Sequence, residues 1–473
     1  MDEIRHIRFH DIKTAFILIL ITAFFLNSLS CEKQADRTAL SADGDIRLIQ
    51  LNPGHFHAGL VQKSIYERVD PVVHVYAPEG PDLEGFLARI EGYNSRTEQP
   101  TSWRMRVYSG SDYLEKMLAE KAGNVMVTAG NNAQKTEYIM RAVAAGLNVL
   151  ADKPMVIRPD EFPLLIEAFR TADENGVLLY DVMTERYEIT NILQRELSMI
   201  PAVFGELEKG SAEDPAITKE SVHHLFKYVS GSPLIRPGWF FDVKQQGTGL
   251  ADVGTHLVDL IQWECFPGQI IDYGSDIEII AAEGWTTNMD REQFERVTGL
   301  SEYPEYLSDY IDQELLKYPC NGGMTYKING VYAKVSVIWD FQAPEGTGDT
   351  HYSIMRGSKC NLIIRQGREE DYRPTLYIEA PGNMDAFSKS LQAAVTDLIA
   401  AKYPGVEVVR LSGRTWKLEI PDEYKVGHEA HFSQVMEKYL QFLDVGEMPV
   451  WEVPNMIAKY YTTTAAAQMI SNR

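Results

Sequence analysis

VMVTAGNNAQKTEYIMRAVAAGLNVLADKP, residues Val125 to Pro154, holds a short β-rich apolar run, an amphipathic helical run and a second short apolar run. Val125 to Thr128 and Asn148 to Ala151 read as buried strands, and Lys135 to Ala145 as a helix closed by Gly146. Strand, helix and strand in that succession form a βαβ unit, which builds parallel sheets covered by helices on both faces. The alternation continues in both directions. Upstream lie Ile46 to Leu51, ending at Asn52-Pro53-Gly54, then a helix, the run Val72 to Tyr76 and a helix over Tyr113 to Lys121. Downstream lie a helix over Glu161 to Asn175 and the run Val177 to Tyr180. The spacing predicts a Rossmann-like, doubly wound parallel α/β domain over residues 46–182.

Sheets of this kind bind ligands beyond the carboxyl ends of their strands. Asn52 to Gly59, Thr128 to Asn132 and Asp152 to Pro154 all fall on that one edge. Past Tyr180 the pattern changes to helices near Ile189 to Ser198 and Leu250 to Glu264 and β-rich runs at Ile277 to Glu283, Val331 to Trp339 and Thr375 to Ile378. Residues 183–473 therefore read as an α+β substrate and oligomerisation domain with a mostly antiparallel sheet. Its tail, Phe432 to Ile470, reads as helical with breaks at Pro449 and Pro454.

The 473 residues exceed what one core usually organises, so two domains are expected. A net charge of -22 argues against nucleic acid and anionic membrane surfaces, whose binding draws on Lys and Arg, and leaves a neutral small molecule compatible. The four cysteines, Cys31, Cys265, Cys320 and Cys360, suit neither a CxxC metal site nor a disulfide framework. An apolar run from Thr14 to Leu26 is too short to span a bilayer and suits a signal peptide. Ser28-Leu29-Ser30-Cys31 then resembles a lipoprotein cleavage box. Residues 1–31 are expected to be a signal peptide ending at a lipidated Cys31, residues 32–45 a linker, and the mature chain an envelope protein, periplasmic or attached to the outer membrane by that lipid alone.

Three segments could carry chemistry. Gly54-His55-Phe56-His57-Ala58-Gly59 occupies the place of a dinucleotide-binding turn, or is an ordinary turn. Its HxH lacks an evident third ligand, so no metal is expected and the histidines are read against cofactor or loop. In Asp152-Lys153-Pro154 the proline biases the lysine to an extended conformation, aiming its ammonium into the cleft. Gly247 to Asp259, GTGLADVGTHLVD, reads as a helix with Asp252, His256 and Asp259 on one face, a carboxylate-flanked proton acceptor or a satisfied core histidine.

Taken in order, these residues resemble the Gfo/Idh/MocA oxidoreductases from Ile46 to Trp263. The EKP motif of that family appears as Asp152-Lys153-Pro154. Its glycine cluster and DxGxH appear as Gly247, Gly249, Asp252, Gly254 and His256, and its A-x-x-A-G-x-x-V run lies within Arg141 to Val149. Ala77 stands where the family usually carries an acid after the second strand, with Glu79 and Asp82 close by. The resemblance implies NAD(H) more than NADP(H), with Gly54, His55, Phe56, His57, Thr128, Gly130, Asn131, Asp152, Lys153 and Pro154 at the cofactor. The expected export, to an envelope without a nicotinamide pool, implies that the cofactor is held tightly. It implies His256 as proton acceptor, Lys153 as alkoxide stabiliser and Asp252 as orienting group. Tyr187, His223 and Trp239 are expected at a sugar.

Gly346-Thr347-Gly348-Asp349-Thr350-His351 and Arg356-Gly357 also resemble a lipoprotein subgroup of Bacteroidetes type with its own C-terminal domain. That adds His351 on the substrate side. The implied activity is dehydrogenation of a sugar or glycoside, at C3 by preference, feeding a glycoside-cleaving enzyme. Two alternatives remain at this stage: a redox-neutral NAD-dependent glycoside hydrolase and a glycan-binding lipoprotein without catalysis. Self-association through the open sheet of the second domain is the oligomer the resemblance implies.

Overall fold

A computed structural model describes residues 45–229, 232–381 and 384–472. The expected signal peptide, Cys31 and nearly all of the expected linker lie outside the described residues. Among the described residues no helix is long and apolar enough to cross a membrane.

Six parallel strands form the first sheet: β1 (Leu48–Leu51), β2 (Val72–Tyr76), β3 (Arg104–Tyr108), β4 (Val125–Thr128), β5 (Asn148–Asp152) and β6 (Leu179–Val182). Their order, β3-β2-β1-β4-β5-β6, is that of a dinucleotide-binding sheet, with the chain reversing direction between β1 and β4. β1, β4 and β6 are buried along their whole length, as apolar runs in a parallel sheet must be. Helices α1 (His57–Val61), α2 (Pro81–Ser95), α3 (Tyr113–Glu120), α4 (Lys135–Ala144) and α5 (Phe162–Glu174) make the crossovers.

After α6 (Ile189–Ser198) comes the second sheet. It contains β7 (Ile217–Phe226), β8 (Ile277–Met289), β9 (Leu315–Ile328), β10 (Val331–Gln342), β11 (Thr350–Arg356), β12 (Asn361–Gln366), β13 (Thr375–Glu379), β14 (Glu407–Arg410) and β15 (Thr415–Glu419). Their order is β8-β9-β10-β7-β11-β12-β13-β15-β14, with the short strand Ile311–Asp312 added beside β9. Every pairing is antiparallel except β10 with β7. β7 lies in the interior of the sheet, between β10 and β11.

Helix α7 (Val253–Cys265) packs on this sheet, and the chain ends in α8 (His428–Val445) and α9 (Glu452–Ser471). The tail returns to the first core. Phe432, Tyr439, Met456 and Tyr460 belong to the same buried cluster as Ile49, Val127 and Leu150, while Ala458 and Ala466 join the second core. The break between α8 and α9 falls at Gly446, whose φ of 78° closes α8. Pro454 does not break the helix as expected. It lies in the first turn of α9, where a missing N–H interrupts no intrahelical bond.

Candidate active site

Two cavities meet along the carboxyl edge of the first sheet. The larger, about 1060 Å³, is lined by His55, His57, Lys153, Glu185, His256 and His428, and on its far wall by residues of β7 and β11. The smaller, about 590 Å³, runs past Gly54, Ala77, Glu79, Asp82, Arg89 and Trp239. They share His55, Phe56, Leu234, Arg236 and Phe240. These are volumes that small molecules and cofactors occupy, at the place where α/β sheets bind them.

The turn after β1 is held against the turn after β4. The backbone N–H groups of Gly54 and His55 both donate to Ala129 O at 3.1 Å. A Cβ at Gly130 would stand 2.3 Å from Asn52 O, so the approach of these turns requires glycine there. Thr128 is buried and Gly130 is a packing residue. Asn131 Oδ1 accepts from Ala133 N at 3.0 Å, and its Nδ2 donates to Gln245 Oε1 at 2.6 Å. None of the three is among the residues lining either cavity: Thr128 pairs with Ala151 within the sheet, Gly130 packs on Asn52, and Asn131 joins the first sheet to the loop before Asp252.

Asp152 ends β5, and its carboxylate faces His57 Nδ1 at 3.0 and 3.1 Å and His55 Nδ1 at 3.8 Å. Neither Asp152 nor Pro154 lines a cavity wall; the Lys153–Pro154 peptide bond is cis, and Lys153 alone of the triplet reaches the cavity. The buried Lys153 ammonium pairs with the Asp252 carboxylate, which also accepts from Gln246 Nε2 at 3.3 Å. Burial opposes the charge on Lys153, but Asp252 and Asp152 outweigh it and raise its pKa. Burial likewise opposes ionisation of Asp252, and Lys153 reverses this and holds it low. The pair therefore stays ionised.

His256 projects from α7 into the same cavity, and its Nδ1 is buried without a hydrogen-bond partner. Burial, then the Lys153 charge, push its pKa well below the ordinary histidine value. It is a neutral imidazole with a free ring nitrogen. The expected helical face of Asp252, His256 and Asp259 does not exist as such. Asp252 is the residue preceding the helix, and its carboxylate turns to Lys153. Asp259 turns inward, accepting from Arg186 at 2.7 Å and Lys459 at 2.8 Å. Asp252 thus orients Lys153 rather than the imidazole.

On the far wall His223, its ring tilted by 35° against Trp339 at 5.0 Å between centroids, and His351 both line the larger cavity. His351 Nδ1 meets Ser221 Oγ at 3.0 Å, while its Nε2 has no partner. Burial pushes His351 down to about 3 and also lowers His223. Tyr187 packs against the first core and lines neither cavity, since its ring follows the turn leading into α6. Trp239 belongs to the smaller cavity, where its indole N–H donates to Asp82 Oδ2 at 2.8 Å, and not to the expected sugar site.

Several groups at the site escaped the sequence reading. Asp349 accepts from His224 Nδ1 at 2.8 Å and Lys227 Nζ at 2.9 Å; although burial opposes its charge, His223 and Lys227 hold its carboxyl below the usual range. Burial, then the neighbouring Glu188, raise Glu185 to about 7. His428 begins α8 over the cavity, and burial lowers it to about 4. The pair in His428-Glu429-Ala430-His431, directly after Gly427 at a helix start, was a readable signal. The ground for expecting no metal also changes, because Asp152, 95 residues from His57, supplies a third ligand-type group beside the HxH.

Residues 193–471 match the family described as "Putative oxidoreductase C terminal domain". A comparison with curated proteins gives no match. Among solved structures, a "putative oxidoreductase" from Parabacteroides merdae ATCC 43184 is 56% identical with a TM-score of 0.90, over 91% of this chain and 98% of that one. The WlbA dehydrogenase from Bordetella pertussis, in complex with NADH and UDP-GlcNAcA, is 12% identical with a TM-score of 0.52, over 91% and 97%. A levoglucosan dehydrogenase in complex with NADH and L-sorbose is 11% identical with a TM-score of 0.56, over 90% and 97%. The last two share the fold.

Proposed function

The chain belongs to the oxidoreductase family marked by that C-terminal domain, with the Gfo/Idh/MocA-type fold, and from this membership we propose that it is a nicotinamide-dependent dehydrogenase of sugars or glycosides. One observation carries the reading: the ionised Lys153–Asp252 pair and the neutral imidazole of His256 line one cavity at the carboxyl edge of a dinucleotide-type sheet.

The two joined cavities fit an extended dinucleotide. Gly54 and Arg89 line the end beside β2, while His55 and Phe56 line the junction. Glu79 and Asp82 line the same end, and carboxylates there favour ribose hydroxyls over a phosphate, hence NAD over NADP. When bound, the nicotinamide would accept or return hydride at the substrate carbinol carbon. The protein supplies the rest. His256, neutral and lining the cavity, takes the hydroxyl proton. The Lys153 ammonium, fixed by Asp252, stabilises the oxygen as negative charge develops. His223, Trp339 and His351 line the cavity as well and offer a sugar aromatic surface.

C3 of a glycoside is the preferred position, because a ketone there acidifies the neighbouring C–H for a partner enzyme that cleaves the glycosidic bond. A redox-neutral glycoside hydrolase is the second reading, and Glu185 favours it: a carboxyl near 7 on the same cavity could give and take the further protons that elimination and water addition demand. The apolar leader and Cys31 support an envelope location, which requires a tightly held cofactor. The test is absorbance and mass analysis of the purified protein with NAD and a panel of glycosides. A bound nicotinamide that changes redox state supports the proposal, and product identity separates ketosugar from free reducing sugar. Absence of both copurified and added cofactor binding overturns it.

A further inference from the structure

The turn after β1 holds two imidazoles to which the proposed hydride and proton transfers assign no chemical step. His55 and His57 set their rings 4.1 Å apart at 85°, and both turn Nδ1 toward the Asp152 carboxylate. One ligand atom from each of the three residues falls within 4.8 Å of the others. His57 and Asp152 are buried and His55 nearly so.

Hydrogen bonding leaves this group incomplete. His57 Nδ1, at 3.0 Å from one carboxylate oxygen and 3.1 Å from the other, satisfies Asp152 as a donor. His55 Nδ1 accepts the His57 backbone N–H at 3.4 Å, so that nitrogen carries its lone pair. The same nitrogen faces Asp152 Oδ2 at 3.8 Å. The acceptor nitrogen of His55, engaged only by that long 3.4 Å contact, and a carboxylate oxygen therefore lie 3.8 Å apart with no hydrogen between them. The nearby ammonium groups are engaged elsewhere: Lys153 pairs with Asp252, and Lys135 Nζ donates to the backbone oxygen of Asp152 at 3.0 Å.

A cation resolves this convergence. We propose that His55, His57 and Asp152 bind a divalent first-row transition ion, of the class of Mn²⁺, Co²⁺ or Zn²⁺. Two imidazoles and one carboxylate suit these ions, whereas Mg²⁺ and Ca²⁺ take oxygen shells. Binding needs no net proton release: neutral His57 shifts its proton from Nδ1 to Nε2 and presents the freed Nδ1 to the ion. Three protein ligands leave positions open, the mark of a catalytic rather than a structural ion. His55 and His57 line the larger cavity beside Lys153, so those positions face the substrate, where adjacent hydroxyl oxygens of a polyol are suitable donors. This site goes beyond the nicotinamide reading and is measured with no cofactor present.

The test strips the purified protein with a chelator, incubates it separately with Mn²⁺, Co²⁺ and Zn²⁺, removes free ion and measures bound metal. About one equivalent of at least one ion is expected, and His55→Gln/His57→Gln should weaken its binding by about 100-fold or more, with Asp152→Asn weakening it about 10-fold or more. A parent protein that retains none of the three ions overturns the proposal, as does a folded double variant that binds as the parent does. Where the double variant does not fold, X-ray absorption of the Zn²⁺-loaded parent decides. Two imidazoles with oxygen donors uphold the site, and any other ligand set sinks it.

Discussion

Lys153 and Asp252 are a buried ion pair whose members have different tasks, and this makes their contributions separable. Lys153→Met removes the charge that stabilises a developing alkoxide, so turnover should fall about 100- to 1000-fold. It also strands the Asp252 carboxylate in a buried site, at a cost of about 3–5 kcal/mol. The double variant Lys153→Met/Asp252→Asn should regain most of the lost melting temperature and none of the lost turnover. Full recovery of activity, or no loss of stability in the single variant, would show that the pair does not hold the site. Lys153, Asp252 and His256 were readable because each lies inside a short motif with its own glycines or proline. Glu185 and Asp349 were not, because the character of Glu185 comes first from burial, and that of Asp349 from partners remote in sequence, His224 and Lys227. Trp239 was misplaced for the same reason: an indole beside a glycine says nothing of Asp82, 157 residues away.

Among the elements, the loop from Gly247 to Asp252 delivers the carboxylate to Lys153, and its position is fixed by the second sheet. Gly249 N donates to Cys320 O at 2.7 Å, and a Cβ on Gly249 would stand 2.3 Å from that same oxygen. Backbone cannot yield there as a flexible side-chain end can. Gly249→Ala should therefore push the loop off β9, costing about 1–3 kcal/mol and lowering turnover through displacement of Asp252. A thermal melt and a rate measurement check both, and an unchanged rate would mean that the loop does not govern Asp252. The regular elements were legible where periodicity was strong, as in β2, β4 and α4, which run Val72–Tyr76, Val125–Thr128 and Lys135–Ala144. Strand β3 escaped notice. Arg104, Arg106 and Val107 are exposed on this edge strand, so its sequence, RMRVY, lacks a buried apolar run, and only pairing with β2 makes it a strand.

For the molecule as a whole, two features distributed over many elements set stability. The first is a set of histidines held neutral. Burial lowers His55, His57 and His256 well below the ordinary value, His428 to about 4 and His351 to about 3. The unfolded chain takes up protons below about pH 6.5 that the native state refuses, so native stability falls as pH falls, by about 1.4 kcal/mol per pH unit for each histidine. Glu185 runs the other way. Its folded pKa of about 7 lies above the unfolded 4.5, so its contribution is complete below the latter and is lost as pH rises through the former. His223 and His431 add to the histidine side, while the raised carboxyls of Glu188, Glu264 and Glu452 side with Glu185 but titrate from an unfolded value of 4.5, below the histidine window. Between about pH 7 and about pH 5 the net effect is a loss on acidification, and chelator-treated protein should melt at a lower temperature near about pH 5 than near about pH 7. Equal melting temperatures would mean that the histidines are solvated.

The second feature joins the cores. Lys459 of α9, fully buried, bridges Asp181 at 2.7 Å on β6 and Asp259 at 2.8 Å on α7, while Arg186 links Asp259 to Glu452. The sequence showed a helical tail but not its destination, because an ion-pair network spanning residues 181 to 459 leaves no local pattern. Lys459 is the cation shared by a strand of the first sheet, a helix of the second core and the returning tail. Lys459→Met would leave both Asp181 and Asp259 short of a buried counter-charge, at a cost of about 3–5 kcal/mol. Since that cost falls between the cores rather than within either, calorimetry should show one cooperative transition for the parent and a lower or divided transition for the variant. An unshifted single transition would place the coupling in apolar contacts such as those of Met456 and Ala458, and not in the ions.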